Sequence, residues 1–184
     1  MTALAEKRAI LERLLRQKME QPKTASLSFA QERLWFLDQL VPGSSVYNIT
    51  RAIALDGPLD FATLARAAAG VVRRHEALRT TFRADRADTE RPLQVVAPQL
   101  ALNLPLIDLS GLPPERRQET AAALSRQAAV LPFDLTRGPL LRLRLLRLAA
   151  ERHRLLATFH HIVFDGGSFG VFFRELSALY RGNS

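Results

Sequence analysis

Hydrophobic and polar positions repeat with two different periods along this chain, and the switches between them predict its elements. Over residues 4–19, Leu4, Leu11, Leu14, Leu15 and Lys18 fall along one side of a helix. The polar stretch QPKTAS (21–26), with Pro22, reads as a short linker. SFAQERLWFLDQL (28–40) predicts a second helix. Ser28 suits its N-cap, Gln31 three residues later completes a capping box, and Leu34, Leu37 and Leu40 beside Phe36 give an apolar face. VYNITRAIAL (46–55) predicts a strand, and Gly57-Pro58 a turn. Asp60 then caps a helix over 60–78, where Phe61, Leu64, Ala65, Ala68, Val71, Val72 and His75 recur at helical spacing.

The second half repeats the alternation. LRTTFRA and PLQVVA form a β-hairpin around a charged loop at 84–91, and LNLPLIDL (102–109) is extended. A helix over 114–130 follows GLPP. LLRLRLLRL (140–148) alternates leucine and arginine through Leu145, the period of a half-buried strand. Leu146 breaks that phase and predicts a bulge or strand end. RLLATFHHIV (154–163) is a strand able to pair with it across a turn at 149–153. A last helix over 168–181 buries Phe169, Phe172, Phe173, Leu176, Leu179 and Tyr180. Mixed helices and strands with antiparallel hairpins predict an α+β sandwich, with helices on one face of a mixed sheet.

Composition narrows this further. At 184 residues and 47% hydrophobic, the chain can bury one core of its own, as a domain or as one lobe of something larger. No apolar run approaches the ~20 residues that span a bilayer, and the N-terminal stretch lacks the apolar core of a secretory signal. The expected location is therefore the cytoplasm. Cysteine is absent, which excludes disulfides, thiolate nucleophiles and cysteine-based zinc sites. The net charge of +8 rests almost wholly on scattered arginines without aromatic interleaving. That pattern favours a solvated basic surface facing an acidic protein partner over nucleic acid.

Candidate chemistry concentrates in TFHHIVFDGGSFG (158–170). Gly166-Gly167-Ser168-Phe169-Gly170 matches the G-x-S-x-G of a serine-hydrolase elbow. A triad then needs an acid and a histidine after the serine. The 14 residues after Gly170 hold Glu175 but no histidine. The glycines match neither a Walker A loop nor G-x-G-x-x-G. Adjacent strand residues point to opposite faces, so His160 and His161 cannot both reach one metal ion from a regular strand. The same parity splits their roles: one histidine packs and the other faces a cleft, where imidazole can take a proton from a nucleophile. Asp165 can orient that imidazole or pair with an arginine to lock the turn. Gly166 permits a sharp bend or a close approach to a ligand. Ordinary sheet histidines are the alternative reading.

HHIVFDG fits the H-H-x-x-x-D-G motif found in condensation domains of nonribosomal peptide synthetases and in acyltransferases similar to chloramphenicol acetyltransferase. LSFAQERLWFLDQL (27–40) resembles the first conserved motif of the condensation family and RHEALRTTF (74–82) the second. The three occur in the family's order and span nearly all of Leu27–Arg181. The resemblance implies a two-layer sandwich lobe like that of chloramphenicol acetyltransferase over 27–184, with residues 1–26 as a docking or inter-module segment. It implies amide formation between donor and acceptor acyl groups on the phosphopantetheine of carrier proteins, with no directly bound cofactor and no metal. His161 would be catalytic and His160 structural. Asp165 would be a brace paired with Arg79, or alternatively Arg74, and Gly166 would line the site. No contact with nucleic acid or membrane is implied.

Gly167 stands where many relatives carry tryptophan. The chain also stops soon after the histidine motif, so it resembles the N-terminal lobe alone. Such a lobe is expected to be inactive without the C-terminal lobe and to self-associate through the face that lobe would cover. Another acyltransferase of the superfamily, or a non-catalytic docking lobe, is the competing expectation.

Overall fold

A computed structural model describes residues 7, 8, 10, 21–85 and 91–182. The helix expected over 4–19 lies almost wholly outside these residues. The described elements run in the order β1 (Lys23–Ser26), α1 (Phe29–Leu40), β2 (Asn48–Asp56), α2 (Phe61–Arg74), a 3₁₀ turn (Glu76–Arg79), β3 (Thr80–Ala84), β4 (Pro92–Val96), β5 (Leu106–Asp108), α3 (Pro114–Val130), β6 (Leu141–Ala149), β7 (Arg152–His160) and α4 (Ser168–Gly182).

Two sheets result. A four-stranded sheet has the order β2-β7-β6-β5, antiparallel except for the parallel β5–β6 pair. A smaller antiparallel sheet has the order β1-β4-β3. The mixed α+β class predicted from the alternation is the observed one.

Local chemistry explains most boundaries. Ser28 accepts from the Gln31 amide while the Gln31 side chain accepts from the Ser28 amide, so the capping box starts α1 as predicted. Asp60 caps α2 by accepting from the Thr63 amide. α2 ends at Arg74 rather than running on to 78, because His75 is extended and the 3₁₀ turn follows. The expected linker at 21–26 contains β1, whose partner is β4 through Lys23↔Val96 and Ser26↔Leu93. All four β1 residues are exposed, so this edge strand carries no hydrophobic alternation to betray it.

The large sheet is covered on both faces, and this changes the expected one-sided arrangement. α2 and α4 pack on one face, against Leu141, Leu143, Leu145, Leu155, Ala157 and Phe159. The other face takes Ala121 and Ala128 of α3 onto Leu146 and Leu156. Leu146 therefore marks no bulge. It is buried on the second face just as Leu145 is on the first, and the register shift falls later, between Arg147 and Ala149. At Gly70, α2 comes near α4: a Cβ there would lie 3.0 Å from Leu179 Cδ1.

β7 stops at His160 and does not reach Val163 as expected. Its last amide donates to the Leu140 carbonyl, and the Val163 amide then folds back to the His160 carbonyl at 3.1 Å. The segment 161–167 is thus a loop held between the end of the large sheet and the start of α4.

Candidate active site

His160 closes β7, in register with Asn48. It shares the face of Leu156, away from Phe159, and is 2% exposed. Its Nδ1 accepts from the Ile162 amide at 3.2 Å, which fixes a neutral ring. Phe133 stands edge-on to it at 6.1 Å and Tyr47 lies tilted at 6.3 Å. Burial, then the neighbouring His161, pushes its pKa down to about 4. The Arg142 guanidinium lies 3.8 Å over the Phe133 ring and donates to the Pro132 and Leu131 carbonyls. Burial lowers the Arg142 pKa to about 10, which leaves it charged near neutrality.

His161 is the first residue past the strand and is exposed. Its amide donates to the Tyr47 carbonyl at 2.9 Å. Its Nδ1 lies 3.1 Å from the Phe164 carbonyl oxygen. A carbonyl only accepts, so Nδ1 is the protonated nitrogen in that contact. The split read from strand parity is present, although His161 itself lies in the turn.

Asp165 is exposed and forms no ion pair with an arginine among the described residues. One of its oxygens accepts from both the Ser168 amide at 2.8 Å and the Ser168 hydroxyl at 2.6 Å. Those bonds hold its carboxyl below the usual range, with His161 a smaller influence. The expected arginine partners are engaged elsewhere. Arg79, 9% exposed, donates to the Ala97 and Pro98 carbonyls and so ties the 3₁₀ turn to the end of β4. Arg74 lies 3.7 Å from Glu175, which also meets His75 Nε2 at 2.8 Å. Asp165 therefore braces the start of α4 through Ser168, the first residue of that helix. Gly166 has no positive φ, and a Cβ there would meet nothing within 4 Å.

The structure gathers the three sequence stretches around the loop. Leu34 and Trp35 of α1 pack against the cluster that contains Ile162. Gln31 Nε2 makes a long contact of 3.5 Å to the Ile162 carbonyl. From the other side, His75, Ala77 and Leu78 join Val163, Phe164 and Phe172 around a small cavity of about 130 Å³. Beneath it the Phe164 ring stacks on Phe159, with centroids 3.7 Å apart and planes 8° apart. Phe133, Arg142, Tyr47 and Phe164 carry this support, and the sequence reading passed over all four. Phe164 occupies a variable position of the motif, and its contribution is partly a carbonyl, which every residue type has.

A family model for the condensation domain matches residues 21–184. The chain belongs to the condensation-domain family. This condensation-domain chain is 52% identical over 155 residues to chondramide synthase of Chondromyces crocatus, covering 84% of the chain and 4% of that protein. It is 47% identical over 155 residues to one of the linear gramicidin synthase proteins of Brevibacillus parabrevis, covering 84% of the chain and 3% of that protein. Among solved structures, the first condensation domain of the calcium-dependent antibiotic synthetase, in complex with a substrate analogue, superposes with a TM-score of 0.78. The two are 31% identical, covering 88% of this chain and 39% of that one. The condensation-domain chain thus spans a few per cent of these two synthases and about two fifths of that solved domain.

Proposed function

We propose that this chain is the N-terminal lobe of a nonribosomal peptide synthetase condensation domain, and that His161 is the base of an amide-forming site. The observation that carries this reading is the placement of the two histidines. His160 is buried and neutral, whereas His161 is exposed at the loop with Nδ1 turned to the Phe164 carbonyl. The acceptor amine attacks the donor thioester carbon and passes a proton to the remaining ring nitrogen. The carbon–sulfur bond then breaks, and the thiolate leaves with a proton. A thioester is already activated, so holding both carrier-bound substrates in place supplies much of the rate. Gly166, with open space beside it, gives the phosphopantetheine-borne acceptor room to approach. Asp165 keeps the loop and α4 in register.

Donor and acceptor carrier proteins are the proposed partners, and the cytoplasm the proposed compartment. Among the described residues no helix is long and apolar enough to cross a membrane. The test is His161→Ala in the complete synthetase module, scored by single-turnover formation of the dipeptidyl thioester from two loaded carriers. A fall of ~10²–10⁴-fold, the range for a positioned general base, is expected in a folded protein. A folded variant at full rate would falsify the assignment.

A further inference from the structure

We infer that Phe164 is a positioning residue for His161: clamped against Phe159, it holds a backbone carbonyl on Nδ1, so that neutral His161 keeps its hydrogen there and offers the Nε2 lone pair to the acceptor amine. The inference rests on the reading of His161 as the base. A histidine works as a base only from the nitrogen without a hydrogen, so whatever fixes the tautomer selects the working atom. Free histidine side chains favour the opposite form, Nε2–H, in which the lone pair would face the Phe164 carbonyl and the site would present a donor.

Several observations converge on Phe164. Its carbonyl is the hydrogen-bond partner of the His161 ring among the described residues, at 3.1 Å. Asp165, the other candidate orienter, directs one oxygen to Ser168 and makes no hydrogen bond to the His161 ring among the described residues. The ring of Phe164 is 4% exposed, stacked on the fully buried Phe159, and met edge-on by Phe169 at 4.8 Å and Phe172 at 6.1 Å. Rings packed from three sides leave the residue little freedom to turn, and its carbonyl shares that restriction. The second anchor is the His161 amide on the Tyr47 carbonyl, which fixes the other end of the same turn.

Long-range ¹H–¹⁵N spectra of this chain near pH 8 test the assignment directly. Nδ1 of His161 is expected at the position of an N–H-bearing ring nitrogen and Nε2 at that of a bare one. A predominant Nε2–H form would overturn the proposal without any variant being made. Phe164→Ala and Phe159→Leu then separate the clamp from the rest of the fold. With the α4 amide signals in place, the ratio of Nδ1–H to Nε2–H should drop about fivefold, the equilibrium worth of one ordinary hydrogen bond. An unchanged ratio in both folded variants would remove Phe164 from the role. The outcome is distinguishable from failure of the catalytic reading. Nδ1–H in a protein whose His161→Ala module stays active refutes the base, whereas Nε2–H with an inactive His161→Ala module refutes only the positioning.

Discussion

One buried imidazole contributes to the acid limit of this fold. His160 has its pKa pushed down to about 4 from an ordinary 6.5, chiefly by burial. Below about pH 6.5 the unfolded chain binds a proton that the folded chain refuses until about pH 4, so the unfolded state holds more protons through that window. The contribution of His160 is complete above pH 6.5 and is lost as the pH falls through the window, by roughly 3 kcal/mol in all. Urea unfolding at pH 7 and pH 4.5 should show it. His160→Gln should remove most of the difference and leave the share of His153, whose pKa burial also lowers. Capped carboxylates such as Asp60 and Asp165, whose pKa values are lowered, lose their contribution at lower pH still and are common to both proteins. An equal pH dependence in wild type and variant would mean that His160 is hydrated in the folded chain.

At the scale of elements, the question is how the segment RHEALRTTF supports the histidine loop. The structure answers with packing and carbonyl bonds rather than an ion pair. Arg79→Met leaves the Ala97 and Pro98 carbonyls without their buried donor and should cost about 1–3 kcal/mol in chemical unfolding. Combined with Asp165→Asn, the effects should add, because the two side chains share no partner. A measured coupling between them would restore the ion pair. Gly70 lies where α2 passes the Leu179 side chain of α4. Ala gains helix propensity there but must move the flexible end of Leu179, so Gly70→Ala should stay within about 1 kcal/mol of wild type. Gly70→Val adds a branch with nowhere to go and should cost about 1–3 kcal/mol.

These elements also show what the sequence could reveal. Helix caps are local chemistry, so the starts of α1 and α2 were legible from Ser28, Gln31 and Asp60. Leucine–arginine alternation placed β6, but the meaning of Leu146 depends on α3, which covers the second face. β1 was hidden because its pairing is made by backbone atoms and its side chains are all exposed. The burial of His160 and the exposure of His161 match the split expected of neighbouring residues, although His161 lies past the end of β7, where strand parity no longer acts. The engagement of Arg79 was not, since sequence proximity to a motif does not say which carbonyls or carboxylates a long side chain will reach.

For the whole molecule, the unmet demand lies on α1. Phe29, Phe36 and Leu40 fall seven and four residues apart, on one stripe of the helix, and are 92%, 65% and 64% exposed. Val41 and Val46 extend the apolar surface beyond the helix end. The opposite side of α1 is already in use, since Leu34 and Trp35 pack toward Ile162. α1 thus carries apolar residues on both sides, one packed and one exposed, and the proposed second lobe of the domain would cover the exposed stripe. Without that cover the stripe should drive weak association between copies. In sedimentation the mass of the 20.6 kDa chain should rise with concentration. Phe29→Ser with Phe36→Ser should hold it at the monomer value while leaving the thermal transition nearly unchanged, because both side chains are solvent-facing. On the proposed lobe reading, the 184-residue chain by itself, wild type or variant, should form no amide from two loaded carriers. A strictly monomeric wild type would show that the stripe is not adhesive, and turnover by the isolated chain would show that one lobe suffices.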